Sequence, residues 1–177
     1  LYLPRRLFNN DKIYTEEELI SVFPYVVILA EPGAGKTELM GSLAQKLSAT
    51  VVTASKFRYR EVREKNIPLV IDAFDELAKL DNAAIYHLLG KAESTNPTHV
   101  YLSSRSSEWG AAATNAFKDL LGHTPLIARL CEFDVEEQKI IFEHHTSGED
   151  FGLFQEEVSR FSLDALLPNP QFLKLFS

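Results

Sequence analysis

Hydrophobic residues occur along the chain in five short runs, with segments of a different pattern between them. The central runs are nearly continuous in Val, Ile and Leu, which is typical of strands buried on both faces of a parallel sheet. Between the runs, apolar residues recur at helical spacing, so helices are expected to cover both faces of that sheet. The predicted strands are residues 25–30, 51–54, 69–73, 99–103 and 126–130, and the predicted helices between them are residues 36–48, 83–92 and 111–121.

Helix signals without strand signals mark both ends of the chain. Near the N-terminus, Thr15 and Glu18 form a capping box that opens a short helix. After the last run, residues 134–145 and 151–161 predict two helices, and Asn169-Pro170 predicts the start of a third. Three parts are expected: an N-terminal linker with a short helix at residues 1–24, an α/β core at 25–131, and the start of a helical subdomain at 132–177.

Composition limits the class of protein. A length of 177 residues, with 45% hydrophobic and 24% charged residues, is typical of one globular domain with part of a second, and excludes collagen, coiled coil and disorder. The net charge of -7 makes direct nucleic-acid binding unexpected. A single cysteine, no signal peptide and no apolar run near ~20 residues predict a cytoplasmic protein without a membrane span. Because the chain begins with Leu1 and ends soon after a helix start, we expect a segment of a longer polypeptide.

A glycine-rich loop joins the first predicted strand to the helix after it, with the sequence AEPGAGKT at residues 30–37. Backbone amides in such a loop, together with the positive end of the helix dipole, bind phosphate. Lys36 would reach the β- and γ-phosphates, and the hydroxyl of Thr37 would bind Mg²⁺. Ala30 stands where the usual pattern has its first glycine. The predicted nucleotide-binding residues are Glu31, Pro32, Gly33, Ala34, Gly35, Lys36, Thr37 and Glu38.

The third predicted strand ends in acidic residues, with the sequence LVIDAFDE at residues 69–76. Asp72 is the predicted Mg²⁺ residue, with Thr37, because an aspartate at the end of an apolar strand emerges at the sheet edge. Hydrolysis also needs a carboxylate that orients or deprotonates the attacking water. Asp75 and Glu76 are the candidates, and we favour Glu76 with Asp75 as a coupled partner. The alternative is that Asp72 only ends a buried strand and Asp75 caps the next helix.

A cation follows the fourth predicted strand. Ser103-Ser104-Arg105 should lie at the same edge of the sheet as the acidic residues. A guanidinium there can sense the γ-phosphate or stabilise charge on the transferring group, which makes Arg105 a candidate catalytic residue. The alternative is a surface arginine that follows a strand.

The segments AEPGAGKT, LVIDAFDEL and VYLSSR, in this order and spacing, resemble the NACHT-type modules of the STAND class of P-loop NTPases, which are related to AAA+ proteins. The resemblance implies a three-layer α/β sandwich with a five-stranded parallel sheet of order 5-1-4-3-2, which would place Arg105 beside both Walker motifs. The segment LPNPQFL at residues 167–173 is similar to the family's helical-domain motif, whose proline packs near adenine, and this implies Pro170 in nucleotide binding. Alternatively, Pro170 only begins a helix.

The function that this resemblance implies is that of a signalling switch, as in immunity, cell death and bacterial antiphage defence. The module would bind ATP or ADP with Mg²⁺, hydrolyse ATP slowly, and control self-association, with sensor and effector domains outside this segment. Two alternatives stay open. An AAA-type motor or loader would need fast hydrolysis and a trans-acting arginine, and a non-hydrolysing scaffold would bind nucleotide only to stabilise its fold.

Overall fold

A mixed β-sheet forms the centre of the larger of two units in the computed structural model, which describes residues 1–61, 64–80, 83–146 and 148–175. This unit comprises Pro4–Glu31 and Lys36–Leu130. Its strands are β1 (Arg6–Asn9), β2 (Lys12–Thr15), β3 (Tyr25–Leu29), β4 (Val51–Thr53), β5 (Leu69–Asp72), β6 (Val100–Ser104) and β7 (Leu126–Leu130). Its helices are α1 (Glu16–Val22), α2 (Lys36–Lys46), α3 (Ala54–Tyr59), α4 (Phe74–Ala78), α5 (Ala84–Glu93) and α6 (Ala111–Leu121), with a 3-10 turn at Ser106–Glu108.

Within the described residues, the sheet has seven strands in the order β2-β1-β7-β3-β6-β5-β4. The strands β7, β3, β6, β5 and β4 pair in parallel, whereas β1 is antiparallel to both β2 and β7. The five apolar runs therefore occupy the relative order 5-1-4-3-2. The prediction of a five-stranded, all-parallel sheet is nevertheless wrong, because a hairpin from the N-terminal segment extends the sheet and makes it mixed.

This hairpin lies where the sequence predicts a linker. Its strands are short, and each has one buried side chain, Leu7 in β1 and Tyr14 in β2. Asn10 turns the chain between them with a φ of 51°, a left-handed conformation that asparagine tolerates better than most residues. The predicted helix that follows is confirmed as α1, and Thr15 and Glu18 form its capping box.

Helices cover both faces of the sheet. On one face, Val27, Leu29, Ile71 and Leu102 pack with side chains of α3 to α6 in a single buried cluster. Side chains alternate along a strand, so the neighbouring positions face α2, whose buried residues are Leu39, Met40, Leu43 and Ala44. The predicted helices at 36–48, 83–92 and 111–121 are thus confirmed, within two residues, as α2, α5 and α6.

A buried glutamate fixes α1 to α2. Glu16 is fully buried and accepts hydrogen bonds from the Arg5 amide (2.7 Å), the Ser42 hydroxyl (2.6 Å) and the Lys46 ammonium (2.7 Å). Partial burial disfavours the charged form of Lys46 and so acts to lower its pKa. The hydrogen bonds to Glu16 and Glu17 outweigh this effect, and the pKa of Lys46 is raised. The helix that begins at Lys36 is therefore held at its far end by a charged hydrogen-bond network.

The second unit comprises Leu1–Leu3, Pro32–Gly35 and the chain from Cys131 onwards, of which residues 147, 176 and 177 lie outside the described part. It contains α7 (Val135–His145), α8 (Phe151–Arg160), a 3-10 turn (Asp164–Leu166) and α9 (Pro170–Lys174). These helices confirm the three helix starts predicted after residue 131, and they share an apolar cluster around Phe142. None of the described helices has the length and apolar character required to cross a bilayer.

Candidate functional site

The glycine-rich loop follows β3 and leads into α2. Gly33 (φ 77°) and Gly35 (φ 90°) adopt left-handed backbone conformations, which glycine adopts readily and residues with a Cβ do not. Ala30, at the position where the usual pattern has glycine, is not among the described residues with positive φ, so an alanine is tolerated there. The side chains of Glu31 and Glu38 are exposed. The loop thus has the backbone conformation for which its two glycines are needed.

The first residues of α2 meet the acidic end of β5. The Thr37 hydroxyl donates a 2.9 Å hydrogen bond to Asp72 Oδ2. Asp72 is 4% exposed, and its Oδ1 accepts hydrogen bonds from the Ala73 amide (2.9 Å) and from the hydroxyl of Ser103. The Ser103 hydroxyl in turn accepts from the same Ala73 amide at 3.0 Å. Three elements, α2, β5 and β6, therefore fix one buried carboxylate.

The donor set at this point fits magnesium. A hydroxyl oxygen of Thr37 and a carboxylate oxygen of Asp72 lie side by side, and Mg²⁺ prefers oxygen ligands. Within the described residues, no cluster of three or more His, Cys, Asp or Glu could hold a metal ion. The pair suits an ion that takes its remaining ligands from phosphate groups and water, which is how Mg²⁺ is usually bound with nucleotides.

A second carboxylate lies between two cations. Asp75 Oδ2 is 2.8 Å from Arg105 Nε, and Asp75 Oδ1 is 3.5 Å from Lys36 Nζ. The side chain of Asp75 is 4% exposed, that of Lys36 14% and that of Arg105 37%. Although the charges are close, neither Asp75 Oδ1 nor Arg105 Nε makes a hydrogen bond with the described residues. Lys36 Nζ donates a long hydrogen bond, of 3.4 Å, to the Ala30 carbonyl.

The two candidate water-activating carboxylates differ in their surroundings. Both lie in the first turn of α4, where Asp75 is buried and Glu76 is exposed. Asp75 is not the N-cap of this helix. The N-cap is Ala73, which has a left-handed conformation (φ 59°, ψ 45°) and no side-chain capping bond. The capping alternative for Asp75 is therefore wrong, and the charge of this buried side chain is offset by the two cations beside it.

Pro170 lies in the first turn of α9, as predicted, and its side chain is buried. In the same unit, the preceding Asn169 caps α9 and donates a 3.2 Å hydrogen bond from Nδ2 to the Pro32 carbonyl of the glycine-rich loop. A Cβ added at Gly33 would lie 2.5 Å from Gln171 Oε1 and 2.9 Å from Asn169 Oδ1. The start of α9 is therefore packed against loop residues 32–35.

Sequence reasoning placed Ser103 at this edge without giving it a role, and it gave none to Asn169 and Gln171. The role of Ser103 could have been found from its position, since a polar residue at the end of a buried strand needs a partner. Asn169 and Gln171 flank the predicted proline, but only the fold brings them against Gly33. In comparison with known proteins, no family model matches the chain and no curated protein matches it significantly, so the family resemblance stays a prediction.

Proposed function

We propose that this chain is an ATP-binding, Mg²⁺-dependent P-loop NTPase module that hydrolyses ATP slowly and works as a switch. The observation that carries the proposal is the hydrogen bond between Thr37 and Asp72. It joins the helix after a glycine-rich loop to the acidic end of a buried strand, with Lys36 and Arg105 close to the next carboxylate. Support also comes from β6, which lies between β3 and β5 and so brings Arg105 to the strand ends that carry these residues.

Each residue has a separate task in the proposed mechanism. Lys36 binds the β- and γ-phosphates through its ammonium group, and Arg105 stabilises charge that develops on the γ-phosphate. Asp72 and the Thr37 hydroxyl hold Mg²⁺, which when bound neutralises phosphate charge. Ser103 keeps the Asp72 carboxylate oriented through its hydrogen bond. Glu76, exposed on α4, is the residue that we assign to orient the attacking water.

The switch itself is the part of the proposal that rests on the family resemblance alone. ATP and ADP would make different contacts, and the difference would favour different arrangements of the polypeptide. Self-association of the ATP-bound form, a defence-type signal, and sensor and effector domains elsewhere in the polypeptide follow from the same resemblance. The role of Pro170 near the adenine also follows from the resemblance, and within its own unit the start of α9 contacts loop residues 32–35.

Thermal unfolding with and without Mg-ATP tests nucleotide binding. At a ligand concentration 100-fold above Kd, binding stabilises the folded state by ~2.7 kcal/mol, which for a protein of this size raises Tm by about 5–10 °C. Lys36→Ala should abolish that shift. Lys139→Ala is the matched control, because Lys139 is half exposed on α7 and its salt bridge to Glu143 is a loose one of 3.9 Å. An unchanged shift in Lys36→Ala would refute the assignment of the loop.

Single-turnover hydrolysis separates the switch from its alternatives. Slow hydrolysis that stops in Glu76→Gln, with binding retained, is the result that we expect. No hydrolysis in the unmodified protein would favour the scaffold, and rapid steady-state turnover would favour the motor. If Asp75→Asn abolished turnover with unchanged binding while Glu76→Gln did not, the choice of Glu76 would be wrong.

A further inference from the structure

Asp75 is a buried carboxylate that has two cations close by but lacks some of the hydrogen bonds that it could accept. It lies 2.8 Å from Arg105 and 3.5 Å from Lys36, yet its Oδ1 makes no hydrogen bond with the described residues. Taking a carboxylate out of water is costly, and nearby charges offset the cost fully only when hydrogen bonds accompany them. The arrangement is therefore a charge cluster that an incoming ligand can rearrange without breaking strong hydrogen bonds.

The two cations need Asp75 in the absence of a ligand. Lys36 and Arg105 approach the same carboxylate from different elements, α2 and the segment after β6. Without an anion between them, two positive charges would repel each other in a partly buried site. An anionic group that binds Lys36 and Arg105 can take over this neutralising role, and a phosphate oxygen supplies the same charge as a carboxylate oxygen.

We infer that Asp75 is the internal counter-ion of the phosphate-binding cations and a positioning residue, and that polyphosphates bind by competing with it for Lys36 and Arg105. The inference rests on the proposed nucleotide site and adds its regulation. Asp75 keeps the two cations in place between ligands, and its negative charge lowers the affinity for every phosphate chain that enters. The affinity of the site is therefore set below the value that its two cations alone would give.

The test is the affinity for inorganic tripolyphosphate, measured by calorimetry at low ionic strength on the full 177-residue chain. Tripolyphosphate has no base or sugar, so it reports on the cations alone. Asp75→Asn should bind tripolyphosphate at least about tenfold more tightly, because the substitution removes one negative charge that repels the ligand in a site of low polarity. Asp75→Glu, which keeps the charge, should bind as the unmodified protein does. Asp119→Asn changes the net charge equally on the exposed side of α6 and should have no effect.

The outcomes separate this inference from the proposed function. If the unmodified protein binds tripolyphosphate and Mg-ATP but Asp75→Asn binds no more tightly, the counter-ion role is wrong and the nucleotide site stands. If neither protein binds either ligand, both are wrong. Binding by Asp75→Asn alone would support the counter-ion role and show that Asp75 blocks the site. If Asp75 had only a structural role, Asp75→Asn would lower Tm without tightening the binding of tripolyphosphate. Asp75→Ser provides a second neutral variant if the asparagine variant does not fold.

Discussion

Replacing either of two adjacent serines at the end of β6 by alanine should change the free energy of unfolding, but in opposite directions for the two residues. Side chains alternate along the strand, so Ser103 faces Asp72 and Ser104 faces the other side of the sheet. Both residues are fully buried. The Ser103 hydroxyl bonds the Asp72 carboxylate and accepts from the Ala73 amide, whereas the Ser104 hydroxyl makes no hydrogen bond with the described residues.

The expected magnitudes follow from these contacts. A hydrogen bond to a charged group contributes about 1.5–3 kcal/mol. Because Asp72 keeps its bonds from Thr37 and Ala73, Ser103→Ala should destabilise the fold by roughly 1.5–2 kcal/mol, the lower end of that range. A buried hydroxyl without a partner costs about 1–3 kcal/mol, and part of this gain is lost when packing contacts of the oxygen disappear. Ser104→Ala should therefore stabilise the fold by about 0.5–1 kcal/mol.

Urea unfolding followed by fluorescence measures both changes. Trp109 is the only tryptophan of the chain and is buried in the larger unit, so its emission reports on the unit that contains both serines. The midpoint should fall for Ser103→Ala and rise for Ser104→Ala, with the same denaturant dependence. If both midpoints moved in the same direction, the assignment of one serine as bonded and the other as unbonded would be refuted.

Three further substitutions test the backbone and one titrating group. Ala73→Gly should stabilise the fold by about 0.5–1 kcal/mol, because glycine relieves the left-handed strain at φ 59° and loses part of that gain through a more flexible unfolded chain. Gly41→Ala in α2 should stabilise by about 0.5–1 kcal/mol, since its Cβ would meet nothing within 4 Å, and a lower urea midpoint would contradict this. Burial lowers the pKa of His99 below its usual value of 6.5, so the unfolded chain binds the proton more tightly. Stability should fall as the pH drops from above 6.5 through the lowered pKa, and His99→Gln, compared with the unmodified chain between pH 5 and 8, should reduce that loss.

The parallel strands and their covering helices could be predicted because each carries its own local signal. Strands buried on both faces need continuous apolar runs, and the helices need apolar residues at helical spacing, so both patterns are visible in short segments. The predicted capping box at Thr15 was equally local, since donor and acceptor lie three residues apart, and the structure has a second one of the same spacing at Asp134. The hairpin β1-β2 gave no such signal. Each of its strands buries one residue and leaves an apolar side chain exposed, Phe8 in β1 at 37% and Ile13 in β2 at 57%.

The candidate site, too, could be predicted only in part. Its chemistry was suggested by the residue types and chain order of Lys36, Thr37 and Asp72, and the fold brings Thr37 to Asp72. The orientation of α4 could not be predicted, because a helix of five residues has no clear periodic face. Its orientation depends on distant contacts, such as the packing of Phe74 against Trp109 at a ring distance of 5.6 Å. That orientation buries Asp75 beside two cations from other elements, which no local pattern encodes.

The antiparallel hairpin also determines which strand forms one margin of the sheet. Because β1 pairs with β7 and the side-chain Nδ2 of Asn9 donates to the Ile127 carbonyl at 2.7 Å, the backbone of β7 is covered on the side away from β3. The margin becomes β2, a four-residue strand with an exposed lysine, Lys12, and such a strand is a poor template for another chain. A shortened chain that began at Tyr25 would instead present the uncovered backbone of an apolar strand, and we expect it to aggregate through that edge.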